Sequence, residues 1–286
     1  MWSETNYKIR KIKERLIIAL TVVAVILAIV PLASILIEVI VRGISVISIE
    51  FLTSPPGIIG QAGGGIANAI QGTFILIGLS SLIGVPIGIL AGIYLAEFGD
   101  NPIGRTIRFL SDVLMQMPSI VIGIFVYVLV VLALGRFSPI AGAIALSIIM
   151  LPIVIKTTEE SVRLVPSILR EAALALGLRR WRVTLSVVLA TAKSGILTGV
   201  MLAVARIAGE TAPLIMTVLG SQWFFTSLLE PIDALPLRIW RLALLPYDYA
   251  HQQGWGAALV LISIVLTLNV AVRALSKMRF SRRVKI

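Results

Sequence analysis

The chain has 286 residues, of which 58% are apolar and 14% are charged. Soluble domains carry roughly 25% charged residues, so a single water-soluble domain is excluded and a polytopic membrane protein is predicted. Cysteine is absent, and His251 is the only histidine. We therefore expect no disulfide framework, no metal site and no cofactor.

The net charge of +11 does not indicate nucleic-acid binding, because the cations fall in clusters separated by long apolar runs. Five cations lie before residue 16, six lie between residues 156 and 182, and six lie after residue 272. Such clusters are typical of the cytoplasmic ends of membrane spans. The distribution therefore indicates contact with membrane lipid and none with nucleic acid.

A helix needs about 20 apolar residues to cross a hydrocarbon core of ~30 Å. Six segments meet this requirement: Leu16–Val41, Ile66–Phe98, Asp112–Leu134, Pro139–Ile155, part of Leu185–Leu219, and Trp255–Leu275. The first follows a basic segment, but its apolar run is too long for a cleaved signal sequence, so we expect a retained anchor. The Gly- and Pro-rich stretch Arg42–Gly65 is predicted to be a loop.

Six spans place both termini on the same side of the membrane. If that side is the cytoplasm, the inner segments hold five, two, six and six cations and the outer loops hold four, as the positive-inside rule requires. The predicted organisation is a basic N-terminus, first span and outer loop over residues 1–65, a transmembrane domain over residues 66–276, and a basic cytoplasmic tail over residues 277–286. A hydrophilic cytoplasmic segment lies near residues 156–183.

Small residues recur at four-residue spacing in two of the spans. Gly84, Gly88 and Gly92 follow one another along the second span, and Gly195 with Gly199 repeats the pattern in the fifth. Such stripes allow two helices to approach closely. They predict tight packing, either within one subunit or at a subunit interface.

The sequence has no phosphate-binding loop of the G-x-x-x-x-G-K-[ST] type. Lys156-Thr157 follows Ile155 and Lys193-Ser194 follows Ala192, so neither pair has the required glycine. If ATP powers transport through this protein, the ATPase is a separate chain.

The hydrophilic segment contains a helix–glycine–helix pattern. Ser167–Leu176 is predicted to be a short helix capped by Ser167, and Gly177 can adopt the left-handed backbone that ends it. A second amphipathic piece begins at Arg179. This pattern fits a helix that docks into the groove of a partner, and it fits a solvated connector equally well.

The fifth span carries two opposite charges at four-residue spacing. Arg206 and Glu210 share one helix face, and Pro213 is expected to kink or break the helix because it lacks a backbone N–H. Ionisable groups inside a membrane are unfavourable unless they pair or face a pathway. The pair therefore either binds a passing anion or forms a permanent salt bridge that holds the helix.

Two further acidic residues have predicted structural roles. Asp112 is expected to cap the third span at its cytoplasmic end. Glu97 is expected to pair with Arg105 or Arg108 at the inner surface.

Several motifs resemble a known family. Glu171-Ala-Ala-Leu-Ala-Leu-Gly177, followed by Val187 and Leu189, resembles the EAA loop of ABC importer permeases, although Ala190 stands where that pattern usually has proline. The segments Asp112–Tyr127, Leu151–Glu160 and Ala205–Leu214 resemble the PstA family of phosphate-specific permeases. The distal segments Leu235–Trp240 and Trp255–Leu259 resemble the same family.

The resemblance implies an all-α, type-I ABC importer permease fold of about six helices in the plasma membrane of a prokaryote. It implies a permease that imports inorganic phosphate, carries out no covalent chemistry and forms half of the pathway. Its implied partners are a second, PstC-like permease, two copies of a PstB-like ATPase and an external PstS-like phosphate-binding protein. The implied pathway residues are Arg206, Glu210 and Thr211, and the implied ATPase-coupling residues are Glu171, Ala172, Ala173 and Gly177.

Other functions are compatible with parts of the sequence. A permease for sulfate, molybdate or phosphonate would also use an arginine, and the sister PstC family shares some of the motifs. An intramembrane enzyme would need paired acids, a metal site or a Ser/His arrangement within the spans, which this sequence does not offer. A channel or carrier that works without ATP would have no ATPase partner.

Overall fold

A computed structural model describes residues 4–58, 61 and 63–281, and these residues fold as helices joined by turns and loops. The all-α prediction is confirmed. The helices are α1 Glu4–Ile44, α2 Ile49–Thr53, α3 Ala67–Phe98, α4 Pro102–Gln116, α5 Ser119–Leu134, α6 Pro139–Arg163, α7 Ser167–Ala175, α8 Arg180–Ala208, α9 Ala212–Thr217, α10 Leu235–Leu244 and α11 Asp248–Ser281. The last five residues of the predicted basic tail lie outside the described residues.

Five of the described helices are long and apolar enough to cross a membrane, and the number is six if a bent pair counts as one span. This agrees with the predicted six spans. The five are α3, α6, α8, most of α1 and most of α11. Helix α1 is longer than the predicted span Leu16–Val41, because the helix continues through the basic residues before it.

The third span differs from its prediction. Asp112–Leu134 is not one helix: α4 and α5 meet at an angle of 107°. Pro118 causes the bend, because its ring disfavours helical geometry at the preceding residue. Met117 accordingly has an extended backbone, with φ −69° and ψ 134°.

Helix α6 occupies the centre of the bundle, with a glycine stripe packed on either side of it. A Cβ atom on Gly88 of α3 would lie 2.7 Å from Val154, and one on Gly199 of α8 would lie 1.9 Å from Thr157. Only glycine allows these close approaches. The stripes therefore pack helices within one subunit, which was one of the two predicted uses.

The two ends of α3, at Ala67 and Phe98, lie at opposite ends of the molecule. At the Ala67 end, the predicted loop Arg42–Gly65 contains the short helix α2, whose Phe51 is buried, and helix α10 lies at the same end. At the Phe98 end lie α4, the end of α6 and α7. The predicted fifth span is also interrupted, because α8 ends at Ala208 and α9 is a separate short helix.

Candidate functional site

The charged pair of the fifth span lies where α8 ends. Arg206 is in the last turn of α8, and Glu210 lies in the break that follows it. Arg206 Nε and Glu210 Oε1 are 3.6 Å apart, and the two side chains are 45% and 15% exposed. This separation exceeds a normal N–H···O hydrogen bond. The guanidinium is thus held near a carboxylate without being saturated by it.

The break in the helix has a local cause. The N–H groups of Gly209 and Glu210 donate to the carbonyls of Arg206 and Ile207 in tight turns, and Pro213, in the first turn of α9, has no N–H to continue the ladder. The predicted interruption is observed, although it falls at residues 209–211 rather than at the proline itself. Thr211 adjoins Glu210 and begins α9, where its carbonyl accepts from Leu214 and Ile215 at 3.1 Å.

Helix α5 holds the break in place. A Cβ atom on Gly123 of α5 would lie 2.7 Å from Pro213 Cα, so the absence of a side chain there lets α9 pack directly on α5. The bent pair α4–α5 and the interrupted pair α8–α9 therefore meet beside Arg206 and Glu210. Broken helices next to a charged residue are a recurring arrangement at substrate sites in transporters.

The predicted coupling residues lie on and just after α7, at the Phe98 end. Glu171 and Ala172 are exposed, whereas Ala173 is buried against Val162 and Val183. Gly177 has φ +79°, and a Cβ atom added to it would meet nothing within 4 Å. Its N–H donates to the carbonyl of Leu174, which closes the helix end as expected for a left-handed glycine.

The predicted serine cap of this helix is wrong. Pro166 occupies the cap position and makes no side-chain capping bond, so Ser167 is already the first helical residue. Around α7, several large apolar side chains point outward without cover from the rest of the chain. These are Leu164, Ile168, Leu176 and Trp181.

Ion pairs tie this region together, but they are not the predicted ones. Glu97 of α3 pairs with Arg170 of α7 at 2.8 Å, rather than with Arg105 or Arg108. Arg108 instead pairs with Glu159 of α6 at 2.8 Å and donates to the carbonyls of Leu95 and Gly99. The prediction failed because α6 and α7 bring Glu159 and Arg170 to the Phe98 end of α3, where they pair with Arg108 and Glu97.

A second charged pair was missed by the sequence analysis. Asp112 does not cap a span; it lies near the end of α4 and pairs with Lys156 of α6, and both side chains are partly exposed. The cap of α4 is Asn101, whose side chain accepts from the Gly104 N–H at 2.8 Å. Pro118 was the signal that α4 and α5 are separate helices and that Asp112 lies before the bend.

The described residues contain no group of three His, Asp or Glu side chains placed to hold a metal ion. His251 lies exposed near the start of α11. What the candidate site offers is a partly exposed guanidinium beside a carboxylate at a helix break, and an exposed helix with apolar flanks at the Phe98 end.

Residues 84–285 match the family model for the binding-protein-dependent transport system inner membrane component. A relative from Yersinia pestis described as phosphate transport system permease protein PstA is 43% identical over 270 residues, which cover 93% of this chain and 90% of the relative. A protein of the same description from Haemophilus influenzae is 43% identical and is covered over 94% of its length.

The fold is similar to that of solved ABC transporters. A chain in the crystal structure of a bacterial alginate ABC transporter, in complex with an alginate-bound periplasmic protein, superposes with a TM-score of 0.65. The match covers 93% of this chain and 96% of that chain, at 16% sequence identity. At this identity the likeness concerns the fold alone.

Proposed function

Because the chain belongs to the PstA family of phosphate transport permeases, and is thus a membrane component of an ABC transporter rather than its ATPase, we propose that it forms half of an import pathway for inorganic phosphate. The observation that carries this proposal is the partly exposed Arg206 at the break between α8 and α9. A guanidinium presents a planar fork of N–H donors that matches the oxygens of a phosphate.

Arg206 can attract phosphate and release it again because the carboxylate of Glu210 competes with phosphate for the guanidinium. At an effective dielectric constant of ~20, a unit charge about 4 Å away contributes about 4 kcal/mol. Glu210 lies at this distance, and at 3.6 Å it leaves the guanidinium accessible. The net attraction for an anion is therefore weaker than that of an unpaired arginine, which suits passage rather than storage. Thr211 would add its hydroxyl beside the pair.

The proposed assembly consists of this chain, a homologous PstC-like permease, two PstB-like ATPases and an external PstS-like phosphate-binding protein. Helix α7 would dock on one ATPase, with Glu171 and Ala172 exposed toward it and Leu164, Ile168 and Leu176 as its apolar contacts. Apolar side chains of this size at a solvated helix favour contact with a partner. The ATPase dimer would close on ATP and move α7, and Gly177 would set the angle between α7 and α8.

We infer further that residues 66–276 form the transmembrane domain and that both termini are cytoplasmic. Cysteine scanning tests this orientation, because the chain has no cysteine of its own. A cysteine at Thr53, exposed at the Ala67 end, should react with an impermeant thiol reagent added to intact cells, and one at Ser167 should not. Reaction of the Ser167 variant and protection of the Thr53 variant would reverse the orientation.

Uptake into vesicles tests the proposed substrate. The assembled transporter is reconstituted with external binding protein and internal ATP, and uptake of labelled phosphate is measured with excess sulfate, molybdate or phosphonate outside. We expect ATP-dependent phosphate uptake that these anions do not reduce. Equal competition by one of them would favour a permease for another oxyanion, and uptake that needs no ATP would favour a carrier.

A further inference from the structure

A cavity at the Ala67 end lies far from the coupling residues and is lined by neither Arg206 nor Glu210. Its volume is about 290 Å³, and it is bounded by residues 56–58, 61, 63 and 65, by α10 and by the start of α11. One water takes up ~30 Å³, so the cavity has room for a phosphate with several waters. Helix α3, with 32 residues and about 1.5 Å of rise each, separates this cavity from the coupling helix by roughly 48 Å.

Two arginines of α10 reach the cavity from one helix face, because they are three residues apart. Arg238 is almost buried, with 9% of its side chain exposed, and contacts the fully buried Asp233. It also donates to the carbonyl of Ser221 at 3.2 Å. Its Nε has no hydrogen-bond partner among the described residues.

Arg241 is the second arginine, and its positive charge has no direct counter-ion. Its guanidinium lies against the backbone of Gly220, so closely that a Cβ there would be 2.4 Å from Nη2. Within the described part of the chain it forms no ion pair and is not a donor in any hydrogen bond. Burial nevertheless lowers its pKa, while the charge of Asp233 raises it in part. A partly desolvated cation without a partner is unfavourable and favours an anion.

Asp233 cannot neutralise both arginines. Its single carboxylate contacts Arg238, and burial raises the pKa of Asp233 above its ordinary value although both arginines oppose this. The other polar side chains that line the cavity are three amides and the phenol of Tyr249, with no carboxylate among the described lining residues. Gln61 and Gln222 line the cavity, and Gln253 donates to the carbonyl of Gly63 at 2.9 Å. The cavity therefore has a net positive charge and hydrogen-bond donors.

We propose that this cavity is a second anion site, which binds the phosphate group through the guanidinium of Arg241, with the positive charge of Arg238 beside it. A guanidinium and a phosphate form paired N–H···O bonds of defined geometry, and Gly220 gives the Arg241 plane a fixed support. The inference goes beyond the proposed transport function, because the site is separate from Arg206 and its occupancy requires neither ATP nor transport.

Binding of labelled inorganic phosphate to the purified transporter tests the proposal. The complex is held in dodecyl maltoside without nucleotide or binding protein, and Arg206→Gln is present throughout to remove the pathway site. We expect this background to bind phosphate, and Arg241→Gln to weaken that binding at least tenfold. Arg136→Gln, at an exposed arginine of the loop before α6, removes the same charge elsewhere and should change nothing.

Arg241→Lys retains the positive charge facing Asp233 and loses only the planar N–H donors of the guanidinium. It therefore controls for a folding defect. We expect this variant to bind phosphate several-fold more weakly than the Arg206→Gln background. Added phosphatidylglycerol identifies the source of the phosphate group: displacement of the labelled phosphate indicates a lipid headgroup, and no displacement indicates free phosphate. No binding in the Arg206→Gln background, or equal binding in that background and both Arg241 variants, would overturn the proposal. Neither result would alter ATP-dependent uptake, so failure here is distinct from failure of the transport function.

Discussion

The guanidinium of Arg170 in α7 lies 2.8 Å from the carboxylate of Glu97 in the last turn of α3. Arg170 also donates to the carbonyl of Val162 in α6 at 2.8 Å. The residue just before Glu171 thus joins the proposed docking helix to two membrane-spanning helices. A displacement of α7 would therefore reach α3 and α6 through this one side chain.

Replacing this arginine should separate ATP hydrolysis from transport. The two side chains are 25% and 14% exposed, so Arg170→Gln leaves Glu97 poorly solvated and without its ion pair. This should lower the stability of the protein by about 1–3 kcal/mol. We expect the transporter to assemble, to hydrolyse ATP and to lose most phosphate uptake. The number of phosphate ions taken up per ATP hydrolysed is measured in the same vesicles. Arg105→Gln, at an exposed arginine of α4, is the control, and equal ratios in both variants would contradict a coupling role.

Exchanging the charges of the pathway pair distinguishes a substrate site from a helix clamp. The variant Arg206→Glu/Glu210→Arg retains an ion pair at four-residue spacing but places a carboxylate where phosphate would bind. A repulsion of about 4 kcal/mol slows passage roughly a thousandfold. We expect normal assembly without uptake, and partial uptake in Arg206→Lys. Near-normal uptake in the exchanged variant would assign both residues a structural role.

The backbone of Gly177 allows strain to be tested without steric overlap. Its φ is +79° with open space around it, so Gly177→Val introduces about 1–2 kcal/mol of backbone strain and no clash. Gly177→Asn tolerates this geometry better. We expect the valine variant to lose coupled ATP hydrolysis and the asparagine variant to keep most of it.

Gly135 provides the control for this test, since it has φ +68° and is equally open. It lies in the loop between α5 and α6, away from the coupling helix. Gly135→Val should lower stability by a similar amount and leave the coupling intact. A loss of coupling in that variant as well would mean that strain alone, not position, causes the defect.

The glycine stripe of α3 should be sensitive to volume at specific positions. A Cβ on Gly88 would lie 2.7 Å from Val154, whereas one on Gly78 would meet nothing within 4 Å. Gly88→Val should therefore destabilise the protein by about 1–3 kcal/mol through overpacking, and Gly78→Val should not. The midpoint of thermal unfolding of each purified variant measures the loss of stability. Val154→Ala should restore part of the loss, and an unchanged midpoint in Gly88→Val would refute the close packing.

Much of the architecture follows from local composition. Membrane spans are recognisable because the hydrocarbon core requires about 20 apolar residues in succession, and the number of six agrees with the structure. The left-handed glycine at 177 and the interruption near Pro213 were predictable for a similar reason, since each depends on the conformational limits of one residue. The closeness of Arg206 and Glu210 was predictable from their four-residue spacing, although Glu210 lies beyond the end of α8 and not on its face.

Contacts between distant segments depended on the tertiary structure. Arg108 reaches Glu159 of α6 and Glu97 is left to Arg170 of α7, and no local pattern places α6 and α7 beside the end of α3. The same is true of the cavity at the Ala67 end, where α10 brings Arg241 against Gly220. The sequence determined which segments enter the membrane, because burial in lipid depends on each segment's own polarity. Only the packed bundle decided which charges meet, because ion pairing depends on where several helices end relative to one another.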